Sequence, residues 1–207
     1  MQVTHLPIYQ FLEGSGKSFI IPVYQRDYAW TKINCQKLWD DIVDLSHQAR
    51  NDHFLGTLVT IGSGFQEYTV IDGQQRLTTI SIMLIALHNY LKKQDQILDQ
   101  EKFLSEQILD FLINKYSSEQ DKRIRLKPNK QDQSYFESLF EDNSSLETES
   151  NIVNNYYYFY NNIKSRELSP LQLFQSFQKI KIVLINLDTE QDDPQLIFES
   201  LNSTGVD

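Results

Sequence analysis

Residues 68–91, YTVIDGQQRLTTISIMLIALHNYL, are the stretch that decides the fold. The first four residues are aromatic or β-branched and predict a short strand. From Leu77 onward the sequence is apolar on every side of a helix, which predicts a helix that is buried all round. Residues 72–76, DGQQR, join the two elements, and we expect the chain to turn through Gly73 from the strand into the helix.

This DGQQR turn has the composition of an anion site. The first N–H groups of a helix have no partner within the helix, and the helix dipole adds positive charge at the same end. Phosphate oxygens accept hydrogen bonds from amide, guanidinium and hydroxyl groups. Side chains of these kinds follow Gly73 in close succession: Gln74, Gln75, Arg76, Thr78 and Thr79.

Asp72 is the unusual member of the turn, because a carboxylate repels an anion. It fits an anion site if it holds a divalent cation or orients a water molecule. In the alternative interpretation, the turn simply caps a buried helix and Asp72 pairs with Arg76. The pattern alone leaves both interpretations open.

Residues 21–30, IPVYQRDYAW, form a second polar and aromatic block. If the segment is extended after its proline, its aromatic rings are available to stack on a base and Arg26 to hold a phosphate. If it is instead packed, Tyr28 and the other two aromatic residues belong to the core, and Arg26 forms an ion pair at its edge. Gln25 lies between the aromatic residues in either case.

The remaining elements follow from hydrophobic spacing and from helix-start signals. Thr31 is the predicted N-cap of a helix that buries Cys35, and Ser169 and Pro170 begin another helix. Residues 53–61 and 65–71 predict a hairpin, and residues 181–187 a strand that rejoins the first sheet. Further helices are predicted at residues 103–112, 133–140, 152–163 and 195–202.

Two stretches suggest functions that their context does not favour. Residues 14–18, GSGKS, end like a phosphate-binding P-loop, but they are followed by a β-like run and a proline where a P-loop needs a helix. We therefore expect a turn there. Residues 122–127, KRIRLK, fit an edge strand with its cations in water, which we favour, or a strand that contacts a nucleic-acid backbone.

Composition excludes several classes. The chain has 207 residues and a formal net charge of −9, which argues against non-specific coating of nucleic acid. Cys35 is the only cysteine, so an intramolecular disulfide and a cysteine-based zinc cluster are excluded. His53 has no partner at metal-ligand spacing. The sequence shows no signal peptide and no membrane span, and we expect a cytoplasmic protein.

Four blocks together resemble the N-terminal domain of the GmrSD-type restriction endonucleases. They are IPVYQRDYAW at residues 21–30, FLG at 54–56, DGQQRLTT at 72–79 and FESLNSTG at 198–205. The blocks are in the family's order and span nearly the whole chain. The resemblance implies a core similar to the ParB/sulfiredoxin fold, in which a strand, a turn and a helix bind nucleotide phosphates.

The resemblance also implies a nucleotide-dependent module of phage defence that acts on modified foreign DNA. Carried over to this chain, the candidate catalytic residues are Asp72, Gln74, Gln75 and Arg76. The candidate nucleotide-binding residues are Gln25, Arg26, Tyr28, Gly73, Arg76, Thr78 and Thr79. A nucleoside triphosphate and Mg²⁺ are the expected cofactors, with Arg76 on the phosphates, Asp72 on the metal or the attacking water, and Gln74 or Gln75 orienting that water.

Cleavage of DNA in this family is tied to an HNH-type nuclease domain, and the 207 residues contain no such His/Asn cluster. We therefore expect the nuclease on a C-terminal continuation or a separate subunit. The alternative function is a non-hydrolysing module that recognises modified DNA or a partner nuclease.

The expected architecture is α+β, with a small ParB/sulfiredoxin-like mixed sheet packed on the buried helix and a separate helical subdomain. We divide the chain into a core at residues 1–91, a helical subdomain at 92–180, and a returning strand and helix at 181–207.

Overall fold

The computed structural model describes residues 1–63, 66–94, 99–115, 117, 123–141 and 150–188. These residues form six strands and seven helices, which confirms the predicted α+β class. The strands are β1 (Gln2–Pro7), β2 (Ser18–Ile20), β3 (His53–Ser63), β4 (Glu67–Asp72), β5 (Leu126–Lys127) and β6 (Ile180–Leu187). The helices are α1 (Ile8–Leu12), α2 (Lys32–Ser46), α3 (Gln74–Lys92), α4 (Asp99–Leu112), α5 (Lys130–Ser138), α6 (Asn151–Ser165) and α7 (Pro170–Phe177).

The strands form one mixed sheet in the order β1-β6-β3-β4-β2-β5. The predicted hairpin is present as the antiparallel pair β3 and β4. The predicted returning strand is also present, because β6 lies between β1, to which it is antiparallel, and β3, to which it is parallel. Strand β1 was not predicted, since its exposed and mixed sequence has no clear alternation.

Helix α3 is the buried helix that the sequence predicted. Almost its whole length is inaccessible to solvent, and it packs against α4 and α6. Two of its buried polar side chains have hydrogen-bond acceptors: Ser81 donates to the carbonyl of Leu77 at 2.9 Å, and the Asn89 amide donates to the carbonyl of Leu139 at 2.8 Å. Hydrogen bonds of this kind make the burial of polar residues tolerable in an apolar core.

The start of α3 differs from the prediction. The helix begins at Gln74 and not at Leu77, so Gln74, Gln75 and Arg76 belong to its first turn. Asp72 is the last residue of β4, and Gly73 alone connects the two elements. The connection from β4 to α3 needs only one residue because Gly73 adopts a left-handed conformation, with φ +87°.

The basic run was predicted as an edge strand with its cations in water, and this is wrong for Arg125. Strand β5 does lie at the edge of the sheet, but the Arg125 side chain is only 1% exposed. Its guanidinium donates to four backbone carbonyls, those of Leu12, Gly14, Lys17 and Asp110. Burial lowers the pKa of Arg125. The Arg125 cation is therefore part of the protein interior, where backbone carbonyls replace water as its hydrogen-bond acceptors.

The P-loop-like stretch is a turn, as predicted. Gly14 and Gly16 both have positive φ values, and the chain continues into β2 and not into a helix. The predicted helix at residues 195–202 and the block at residues 198–205 lie outside the described residues. None of the described helices combines the length and apolarity needed to span a membrane.

Candidate functional site

The candidate site is built at the junction of β4 and α3. A Cβ atom at Gly73 would lie 2.3 Å from Leu58 Cδ2 and 2.7 Å from the carbonyl oxygen of Thr57, so only glycine fits this connection. No described side chain caps the N-terminus of α3, and its first turn contains no acidic residue. The first N–H groups of a 19-residue helix are therefore left without a side-chain acceptor.

Asp72 and Arg76 flank this helix end without neutralising each other. Within the described residues, neither side chain forms an ion pair, and Asp72 accepts no side-chain hydrogen bond. Both are half-buried. The Asp72–Arg76 pair that the alternative interpretation required is not present, so a carboxylate and a guanidinium remain available beside the helix end.

Arg76 is positioned by β3. Its Nη1 lies 3.4 Å from the carbonyl oxygen of Thr57, and its side chain lies directly over Gly56. A Cβ atom at Gly56 would be 2.7 Å from Arg76 Nε. Gly56 also has φ +130° and follows an irregularity in the pairing of β3 with β6. Glycine in the FLG block therefore makes room for the guanidinium.

Gln75 has a different environment from its neighbour Gln74. The Gln75 Oε1 atom accepts from the N–H groups of Ala29 at 2.8 Å and Trp30 at 3.2 Å, and Nε2 donates to the carbonyl of Asp27 at 3.1 Å. One side-chain amide thus holds residues 27–30 against α3. The amide of Gln74 has no hydrogen-bond partner among the described residues.

Tyr28 and Thr79 are packed behind the helix end. The Tyr28 hydroxyl lies 2.6 Å from Thr79 Oγ1, and Asn155 Nδ2 donates to the same hydroxyl at 3.0 Å. Burial raises the pKa of Tyr28, and it raises the pKa of the neighbouring Cys35 thiol to about 12. These groups therefore stay protonated. Their contacts join residues 27–30 to α3 and α6, and Cys35 is a core residue as predicted.

Gln25 reaches the end of β4 from the other side. The side chain is 4% exposed, and Nε2 donates to the carbonyls of Ile71 at 2.6 Å and Val70 at 3.3 Å. Its Oε1 atom is buried and has no partner in the described part of the chain. A buried acceptor without a donor is costly in a folded protein, so the atom is suited to receive a hydrogen bond from a bound molecule.

Arg26 and Thr78 line a small space beside Gln74. Its volume is about 10 Å³, which is roughly the room that one water molecule needs. Arg26 itself is solvent-exposed. The structure therefore brings residues of the 21–30 block against the DGQQR turn, and the enclosed space between them, beside Gln74, is too small for a whole nucleotide.

Two residues of this region were missed by the sequence analysis. Asp132 Oδ2 accepts from the N–H of Tyr28 at 2.7 Å, and Asn129 Nδ2 donates to Asp27 Oδ1 at 2.6 Å. Desolvation raises the pKa of Asp132. The sequence signal at these two residues is that of a helix start. Asn129 is the N-cap of α5 and accepts a hydrogen bond from the N–H of Asp132.

The described residues contain no cluster of three or more histidine, cysteine, aspartate or glutamate side chains able to hold a metal. Asp72 is a single carboxylate. This suits Mg²⁺, which is usually held by one or two carboxylates together with phosphate oxygens and water.

Comparison with known families gives one finding. The family model described as "GmrSD restriction endonuclease, N-terminal domain" matches residues 8–207. No curated protein matches the chain significantly.

Proposed function

Because the chain belongs to the N-terminal domain family of the GmrSD restriction endonucleases, we propose that it binds and hydrolyses a nucleoside triphosphate. In this proposal, hydrolysis gates a restriction system directed against modified foreign DNA. The nuclease step is carried out by an HNH-type domain or subunit.

The observation that carries the proposal is the uncapped N-terminus of α3 between the Asp72 carboxylate and the Arg76 guanidinium, neither of which forms an ion pair within the described residues. A triphosphate supplies the negative charge that this helix end and Arg76 attract. Its Mg²⁺ supplies the positive charge that Asp72 attracts. The three features are complementary to the charges of one Mg²⁺–triphosphate group.

We assign the roles from these contacts. Arg76 and the N–H groups at the start of α3 hold phosphate oxygens, with Gly73 allowing their close approach. Asp72 binds Mg²⁺, which would neutralise charge on the phosphates and bridge them to the protein. Of the two glutamines, Gln74 is the one with an amide available to orient the attacking water.

Gln75, Tyr28 and Thr79 act differently in this proposal. Their polar groups already bind residues 27–30 or one another, so they position Arg26 and the wall of the site and do not contact phosphate. Thr78 lines the small space beside Gln74, and the Gln25 Oε1 acceptor at the end of β4 is available to a bound water or hydroxyl group.

Substitutions at Asp72 and Arg76 test the proposal. We expect Mg²⁺ and at least one of the four ribonucleoside triphosphates to raise the melting temperature of the purified chain and to be hydrolysed. Arg76→Ala should lower nucleotide affinity at least tenfold, since a phosphate contact from arginine is lost. Asp72→Asn should abolish phosphate release with little change in the melting temperature of the free protein.

Two control substitutions make the same changes of charge at exposed positions. Arg123→Ala and Asp40→Asn alter exposed side chains of the same type, and both should behave like the unmodified chain. Failure of every nucleotide to raise the melting temperature at millimolar concentration would overturn the proposal. Nucleotide binding without phosphate release would instead support the alternative, a non-hydrolysing module that recognises modified DNA or a partner nuclease.

A further inference from the structure

A larger cavity lies beside the helix end, between α2 and the start of β3. We refer to it as the α2–β3 cavity. Its volume is about 460 Å³, within the range of small-molecule sites. Its lining includes Arg26, Trp30, Asn34, Lys37, His53 and Phe54.

This cavity adjoins the proposed phosphate site. Arg26 lines both the α2–β3 cavity and the small space beside Gln74. Leu55 also lines the cavity, and the next residue is Gly56, over which the Arg76 side chain lies. A nucleotide whose phosphates contact Arg76 needs room for its base and ribose. The 10 Å³ beside Gln74 does not provide that room, whereas the neighbouring 460 Å³ does.

The rings in this cavity are suited to stack on a base. Phe54 is 57% exposed, which is unusual for a phenylalanine in the middle of a folded chain. In the described structure neither Phe54 nor Trp30 stacks on another aromatic ring. The backbone of Trp30 is fixed on both sides, because its N–H donates to Gln75 and its carbonyl accepts from Asn155 at 2.8 Å. The backbone that carries the indole is thereby held beside the cavity.

The polar groups of the cavity complete this chemistry. Lys37 is an exposed cation, and Asn34, whose Oδ1 accepts from the N–H of Thr31 at 3.0 Å, offers its Nδ2 in the same wall of α2. The one carboxylate of the cavity, Asp41, is partly neutralised, since Arg50 Nη1 lies 2.9 Å from its Oδ1. Aromatic rings with amide and cationic groups around them are the means by which proteins hold single nucleotides without base pairing.

We propose that the α2–β3 cavity binds the nucleobase and ribose of the nucleoside triphosphate, with the base stacked on Trp30 or Phe54. This inference rests on the proposed function, because it places the rest of a ligand whose phosphates lie at α3. It assigns binding roles to Trp30, Asn34, Lys37 and Phe54, none of which belongs to the DGQQR turn.

Comparison of a nucleoside triphosphate with inorganic tripolyphosphate tests the inference. Both ligands carry the phosphates, but only the nucleotide has a base. We expect Phe54→Ala to weaken nucleotide binding roughly tenfold, as expected for one lost stacking contact, and to leave tripolyphosphate binding unchanged. Arg76→Ala should weaken the binding of both ligands. Phe103→Ala, which removes a phenylalanine that is 72% exposed on α4, is the matched control and should weaken neither.

Indole fluorescence gives a second readout. The chain has two tryptophans, and Trp39 is buried at 3% exposure. The nucleotide should quench the fluorescence, tripolyphosphate should not, and Trp30→Phe should remove the quenching. If both Phe54→Ala and Trp30→Ala bind the nucleotide like the unmodified chain, this inference is wrong while the proposed function stands.

Two further outcomes are decisive. If neither tripolyphosphate nor any nucleotide binds, both proposals fail together. If a short single-stranded oligonucleotide quenches Trp30 and the nucleotides do not, the cavity takes a base from DNA, and the present assignment is overturned.

Discussion

At the scale of single residues, the adjacent Gln74 and Gln75 of one motif have different hydrogen-bonding environments. The side-chain amide of Gln75 forms hydrogen bonds with three backbone groups of residues 27–30, whereas the amide of Gln74 has no partner among the described residues. Both side chains are largely buried, so burial does not distinguish them. The distinction arises because residues one apart on a helix face different neighbours.

Gly56 offers a prediction at the same scale. Gly56→Ala should lower the free energy of unfolding by about 1–3 kcal/mol, since its positive φ strains any other residue and the new Cβ would displace Arg76. It should also weaken binding of triphosphate. Chemical denaturation and a nucleotide titration measure the two effects.

Gly62→Ala is the control for this substitution, because it lies in the same strand and its Cβ would meet nothing closer than 3.9 Å. We expect it to change the free energy of unfolding by less than about 1 kcal/mol. Equal effects at the two glycines would contradict the role of Gly56 in placing the guanidinium.

At the scale of elements, α3 and α4 are joined by a half-buried histidine. His88 Nδ1 lies 2.9 Å from Ser105 Oγ and 3.2 Å from the carbonyl oxygen of Ser105. Burial is the main cause that lowers the pKa of His88, while nearby Lys92 and Lys115 lower it further and Glu106 opposes them. The helix interface therefore favours the neutral imidazole.

The pH dependence of stability follows from this shift. The folded pKa of His88 is below the ordinary value of 6.5, so near that pH the unfolded chain binds more protons than the folded one. The free energy of unfolding should fall as pH drops below about 6.5, and the fall should end below the folded pKa.

Urea denaturation between pH 7.5 and 5.5 measures the effect. His88→Gln cannot titrate, so its stability should depend less steeply on pH than that of the unmodified chain. Carboxylates that titrate in both proteins cancel in this comparison. Identical slopes would show that His88 does not link protonation to stability.

At the scale of the whole molecule, Arg125 ties the N-terminal segment to α4. It joins carbonyls of residues 12, 14 and 17 to that of residue 110. Arg125→Leu should lower the free energy of unfolding by about 3 kcal/mol or more, because several buried carbonyls lose their donor. Arg123→Leu, at an exposed position two residues earlier, should change it by less than about 1 kcal/mol. Equal effects in thermal or urea denaturation would refute this role.

Comparison of sequence and structure is instructive at this scale as well. Runs of apolar and β-branched residues predicted α3, the β3–β4 hairpin and β6. The pattern that decides each of these elements lies within its own sequence. Local patterns did not show that Arg125 is buried or that Gln75 holds residues 27–30, since both depend on groups that are distant in sequence. The turn through Gly73 was predicted, but its length of one residue was not, because polar residues at a helix start resemble a loop until the φ angle is known.

The position of β6 in the sheet also has a consequence for biosynthesis. β1 has β6 as its only strand partner in the described sheet, and β6 begins at Ile180. At translation rates of about 5–20 residues per second, the first strand waits on the order of ten seconds or more for its partner. High contact order of this kind slows folding. During that interval the edges of β1 and β3 are open to pairing with other chains, which makes the nascent polypeptide a substrate for chaperones.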